Sequence, residues 1–135
     1  MNVEVFAPCA MGSAITRSNV SEIRADIIAG AANNQLQHDE LGQVLLEKGI
    51  LYAPDYVINA GGIINVSHEY FGDSSEDAVR EDIARIPARL RELFAEAESS
   101  GRPTNVLADE LARRIVENSI KNKELKEPTG KRRIA

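Results

Sequence analysis

A single cysteine, Cys9, stands among the 135 residues, so no disulfide can form within the chain and no cysteine cluster is available for a metal. There is no long apolar run and no signal-peptide pattern, which leads to the expectation of a cytoplasmic protein with no membrane segment. No internal repeat or low-complexity stretch is present. A basic stripe is missing as well: the formal net charge is −5, a poor balance for a nucleic-acid binder. The one basic region is the tail, residues 121–135, with six Lys/Arg against two Asp/Glu, which leaves −9 for the rest. Its composition suits a solvated, frayed terminus, with a phosphate-binding patch as the alternative.

Common catalytic signatures are absent too. The chain has no Gly-x-Gly-x-x-Gly, no phosphate loop ending in Lys-Ser/Thr and no Gly-x-Ser-x-Gly elbow. His38 and His68 fall on the polar sides of helical patterns and read as solvated side chains. His68-Glu69 lacks the second histidine four residues on that a zinc-binding helix needs. Cys9 has no cation nearby in sequence to activate its thiol, so it reads as a small packing residue, with a backbone still able to meet a ligand.

What is present suits one soluble domain at most: 43% of residues are hydrophobic and 27% charged. Val3 to Ala7, Ile27 to Gly30 and Ile50 to Ala53 read as strands, and Tyr56-Val57-Ile58 reads as a fourth. Between His38 and Lys48, Leu41, Val44 and Leu45 recur at helical spacing and Gly49 supplies a stop. Further helices are expected from Gly62 to Tyr70, closed by Gly72, and from Ser75 to Ser99, kinked or broken by Pro87. A last helix is expected to start at Thr104 as its cap. Strands joined by helical crossovers make this an α/β fold with a mostly parallel sheet.

The stretch from Ile50 to Val66 is central: two apolar runs, both read as buried, meet at Asn59-Ala60-Gly61-Gly62, a joint almost without side chains. Glycine lets a small molecule approach the main chain closely. Small-residue loops also follow the first two strands, at Cys9 and Asn34. Ligands bind open α/β sheets at the carboxyl ends of the strands, so the Cys9, Asn34 and Asn59 loops are expected to converge on one crevice. Asn33, Asn34 and Asn59 each follow a strand and carry both donors and an acceptor, suited to a carboxamide or to an amino acid's polar groups. The alternative is that each caps a strand end or tolerates a left-handed turn.

Phe6-Ala7-Pro8-Cys9-Ala10, Ala29-Gly30-Ala31-Ala32-Asn33-Asn34-Gln35-Leu36 and Ile50 through Gly62 occur in this order. Together they resemble the C-terminal part of the leucine/phenylalanine/valine dehydrogenase group of the glutamate dehydrogenase superfamily. The resemblance implies the second half of a Rossmann-type NAD-binding domain over residues 1–74, C-terminal helices over 75–120 and a basic tail over 121–135. It implies oxidative deamination of a branched-chain or aromatic L-amino acid to its 2-oxo acid with NAD, in a homo-oligomer. By motif, Cys9, Ala10 and Met11 would run beside the nicotinamide ribose, Asn34 or else Asn33 would hold the carboxamide, and Asn59 would face both substrate and nicotinamide. Ile86 and Leu90 would line the substrate side-chain pocket. The family's catalytic Lys and Asp and its Gly-rich loop lie upstream of the matched part, so an unpaired sheet edge is expected and no catalytic residue is assigned here. Pro87 stands where the family has an aromatic. A non-catalytic module for cofactor binding or subunit assembly is the alternative function.

Overall fold

A computed structural model describes residues 2–72 and 75–126. Three short strands, β1 (Val3–Phe6), β2 (Ala25–Ile28) and β3 (Leu51–Tyr52), form one parallel sheet in the order β1-β2-β3. The fold is thus α/β with a small parallel sheet. The register aligns Phe6 with Ile28 and Ile28 with Tyr52, so all three strands end at one level. Among the described residues β1 is paired only by β2, and its Val5 is half exposed.

The first crossover is irregular: residues 17–22 form turns, stitched by Asn19, whose side chain accepts from the Thr16 N–H and donates to the Ala14 carbonyl. The second crossover carries α1 (Leu41–Glu47), which turns Leu41 and Leu45 inward. These two leucines join Ile15, Val20, Ile28, Ile50 and Tyr52 in the main core, with Phe6, Ile23, Leu36 and Val44 packed around it. Period-3.6 leucines from a crossover helix thus cover the apolar face of a parallel sheet.

The fourth strand expected at Tyr56-Val57-Ile58 is instead a helix, α2 (Asp55–Ile58). Pro54 precedes it with φ −56°, and its carbonyl accepts from the Val57 and Ile58 N–H groups. Proline at the entry presets a helical turn, and three β-prone side chains do not outweigh it. Next comes α3 (Gly61–Phe71), ended by Gly72 in the left-handed conformation. This second apolar run, expected to be buried, buries none of its residues: Ile63, Val66, Tyr70 and Phe71 are mostly exposed.

The helix expected from Ser75 to Ser99 is divided, as Pro87 suggests. Ser75 caps α4 (Glu76–Ala84) by accepting from the Ala78 N–H, and α5 (Ile86–Ser100) starts beyond Arg85 with Pro87 in its first turn, where a missing N–H costs least. α6 (Thr104–Lys126) then packs on α5 through Leu93, Ala97, Leu107 and Ala108, with Val57 of α2 against them. Thr104 does not cap α6. Its hydroxyl donates to the Tyr52 carbonyl at 2.7 Å, tying the helix to β3. Further along α6, Ile115 is 44% exposed. The helix runs through Lys126, so the first residues of the basic tail are helical rather than frayed; the remainder of that tail lies outside the described residues. Among the described residues no helix is long and apolar enough to cross a membrane.

Leu45 is fully buried at the centre of the α1–sheet interface. Leu45→Ala is expected to cost about 2–5 kcal/mol, because the lost transfer energy and the cavity add. Urea denaturation followed by circular dichroism measures it.

Candidate functional site

Because the strands end in register, their three following loops leave the sheet side by side. The first two are zipped together by main-chain bonds. The Ala29 N–H donates to the Phe6 carbonyl, the Ala32 N–H to that of Pro8 at 2.9 Å, and the Ser13 N–H to that of Asn34 at 2.6 Å. Gly30 makes this approach possible, since a Cβ there would collide with the Pro8 main chain. The Cys9 thiol is exposed, not packed as expected, and its Sγ accepts from the Ala31 N–H at 3.5 Å. Cys9, Ala10 and Met11 all lie on the surface, Met11 80% exposed.

The second loop is shaped from within by Gln35, which is fully buried. Its Nε2 donates to the Gly30 carbonyl at 2.7 Å and to that of Ala32 at 2.9 Å. Its Oε1 is buried with no partner among the described residues. Asn34 sits at φ 52°, in the left-handed region that asparagine tolerates better than most residues. Its N–H donates to Asp55 Oδ2 at 2.7 Å.

The third loop brings Asn59 to the second. Asn59 Nδ2 donates to Asn33 Oδ1 at 2.6 Å and to the Ala31 carbonyl at 3.3 Å. The Cys9, Ala31, Asn33 and Asn59 positions are therefore linked across one edge of the sheet. Asn33, rather than Asn34, is the amide that meets Asn59. No protein partner among the described residues takes the remaining Asn33 Nδ2 hydrogens or the Asn59 Oδ1 acceptor. A Cβ at Gly62 would meet open space, and one at Gly61 would make only ordinary contact with Ile83.

Asp55, Tyr52 and Gln35 did not stand out in the sequence. Asp55 is 8% exposed, and its Oδ1 accepts from the Tyr52 hydroxyl at 3.0 Å. A carboxylate three residues after a buried tyrosine, across a proline turn, was the available signal. Burial, and then the Asp55 charge, raise the Tyr52 phenol well above its ordinary value near 10. The Tyr56 phenol donates to the Asn105 carbonyl and is pushed up to about 12 by burial, with Asp109, Asp55 and Asp39 adding to it.

Ile86 borders a cavity of about 380 Å³ lined mainly by apolar residues, among them Ala60, Val57 and Ile64, and also by Asp82, Arg85 and Arg89. Leu90 is buried and is not among the residues lining it. His38 is exposed. His68, expected to be solvated, is instead largely covered, and its Nε2 lies 2.9 Å from Asp82 Oδ2 across α3 and α4. Among the described residues no group of three or more His, Cys, Asp or Glu is arranged to hold a metal.

The family model for glutamate/leucine/phenylalanine/valine dehydrogenase matches residues 1–123. The chain belongs to this dehydrogenase family. It is 42% identical over 118 residues to leucine dehydrogenase of Geobacillus stearothermophilus, covering 87% of this chain and 32% of that protein. With L-tryptophan dehydrogenase of Nostoc punctiforme the identity is 44% over 124 residues, covering 91% of this chain and 35% of the relative. The crystal structure of L-tryptophan dehydrogenase from Nostoc punctiforme superposes with a TM-score of 0.81 at 43% identity, over 90% of this chain and 36% of that one. Glutamate dehydrogenase from Peptoniphilus asaccharolyticus shares the fold, with a TM-score of 0.68 at 24% identity. This dehydrogenase-family chain spans about a third of the length of these relatives.

Two outcomes are expected at the site. Gly30→Ala forces the first two loops apart and should lower stability by about 1–3 kcal/mol, read by denaturant midpoint. The raised tyrosine values carry a definite sign. The folded protein keeps protons that the unfolded chain has lost above its ordinary value near 10, so this stability is complete below pH 10 and is lost as pH rises through the folded values. Melting temperatures from pH 9 to 12 should fall, and Tyr52→Phe should flatten the fall.

Proposed function

We propose that this chain forms the nicotinamide side of the cofactor cleft of an NAD-dependent amino-acid dehydrogenase, as the second half of a Rossmann-type domain with its following helices. The substrate class is a branched-chain or aromatic L-amino acid, deaminated oxidatively to the 2-oxo acid. The observation that carries this reading is the amide pair at the carboxyl edge of the sheet, Asn59 Nδ2 to Asn33 Oδ1 at 2.6 Å. The pair retains a donor on Asn33 and an acceptor on Asn59, which complement the carbonyl and the NH₂ of a primary carboxamide. The residues present therefore fit the nicotinamide end of NAD.

In this reading Asn33 and Asn59 hold the carboxamide and fix which face of the ring meets the substrate. The main chain of Cys9, Ala10 and Met11 borders the adjoining ribose, and the Asn34 main chain keeps the second loop in place. Asn59 also faces the substrate. NAD, when bound, accepts the hydride from the substrate Cα. Ile86 contributes to an apolar wall for the substrate side chain. Its support is that Ala60, the residue after Asn59, lines the same cavity. The groups gathered at the amide pair orient and exclude water; no lysine stands among them, and proton transfer is not assigned to them.

Subunit assembly is a second role with its own observation. Ile63, Val66, Tyr70 and Phe71 expose an apolar face along α3, suited to a homo-oligomer contact.

Asn59→Ala removes the acceptor and one anchor of Asn33. It is expected to raise the Kd for NAD by about five- to tenfold, the worth of about one hydrogen bond, in isothermal titration calorimetry. An unchanged Kd would contradict the assignment.

A further inference from the structure

Asp55 joins the two loops that carry the amide pair. Its side chain reaches the second loop, where Oδ2 accepts from the Asn34 N–H at 2.7 Å. Its main chain belongs to the third, where Asp55 opens α2 and its carbonyl accepts from the Asn59 N–H at 2.9 Å, the bond that closes this helix. The carboxylate is itself fixed from the far side by the Tyr52 hydroxyl at 3.0 Å, and Tyr52 is held by the Thr104 hydroxyl on its carbonyl. Asp55 is 8% exposed, so it does not serve as a solvent-facing charge. A carboxylate accepting a backbone N–H gives a short, directional bond. Asn34 needs such a bond because its φ of 52° is a conformation that an unconstrained loop leaves readily.

We propose that Asp55 is a positioning residue: its carboxylate, carried by the short helix that ends at Asn59, pins Asn34, so that Asn33 and Asn59 are preset to receive a primary carboxamide. This rests on reading the Asn33–Asn59 pair as the carboxamide site. Without the carboxylate, the Asn34 N–H loses its acceptor, the second loop relaxes toward ordinary φ and Asn33 swings off Asn59. A rigid supporting contact of this kind governs affinity without touching the ligand.

Asp55→Asn separates positioning from charge. Its amide oxygen still accepts from the Asn34 N–H, while its NH₂ faces the Tyr52 hydroxyl, which turns to accept. Asp55→Ala offers no acceptor.

The experiment measures NAD binding by calorimetry and amide hydrogen exchange by NMR on the wild type, Asp55→Ala and Asp55→Asn. In the ligand-free wild type, the Asn34 amide is expected to exchange at least tenfold more slowly than that of Asn33. Asp55→Ala should abolish that protection and weaken NAD binding by about tenfold or more, and Asp55→Asn should restore both to within about threefold. A purely structural role would lower melting temperature without this selective change at Asn34. Wild-type affinity in a folded Asp55→Ala variant overturns the proposal. So does an unprotected Asn34 amide in the wild type, which decides the matter even if the alanine variant fails to fold. If NAD binding is indifferent to Asn59→Ala while Asn34 protection depends on Asp55, the carboxamide reading fails and the pinning of the loop stands.

Discussion

Parallel pairing that aligns Phe6, Ile28 and Tyr52 is the constraint on which the rest of this molecule depends. Parallel strands send all their outgoing loops over one edge, so three segments distant in sequence become neighbours without further design. The alignment holds because Ile28 and Tyr52, on neighbouring strands, face the same core as Leu41 and Leu45 of the crossover helix. A slip of either strand by one residue would turn its own core side chain outward. Once the loops are adjacent, small side chains let them close. Gly30 accepts the Pro8 carbonyl against its bare Cα, and Ala31 and Ala32 donate to the first loop.

Polar groups then set the loops at fixed distances. Gln35 braces the second loop from inside, and Asp55 joins it to the third. Buried polar groups of this kind are costly unless partnered, so their bonds make the arrangement nearly all-or-none. Within the proposed function this matters more than any single contact, since an amide pair recognises a carboxamide only if both amides are held still. In the proposed function the groups that face the ligand are amides and main chain, which orient it by hydrogen bonds.

Much of this was legible beforehand. β-branched runs followed by small-residue loops announced the parallel sheet, and Pro87 announced the break between α4 and α5. The approach of the Cys9, Asn34 and Asn59 loops to one another followed from topology alone. What escaped the sequence did so for physical reasons. Tyr56-Val57-Ile58 has strand propensity, yet Pro54 sets the local φ and the first helical bonds close behind it. The apolar residues of α3 carry the same pattern whether a partner covers them or not, and nothing in their spacing distinguishes an exposed face from a buried one. Thr104 resembles a cap in sequence, but its hydroxyl finds the Tyr52 carbonyl, 52 residues away. Asp55 looked like a turn residue because its two partners lie on other elements.

The central claim is that NAD meets this chain where the three loops converge. The most direct measurement is an NMR titration of the protein with NAD, following every backbone amide. The largest shifts should fall at Cys9, Ala31, Asn33, Asn34 and Asn59, together with the side-chain amides of Asn33 and Asn59. Shifts confined to α5 and α6, or none at millimolar NAD, would contradict the account.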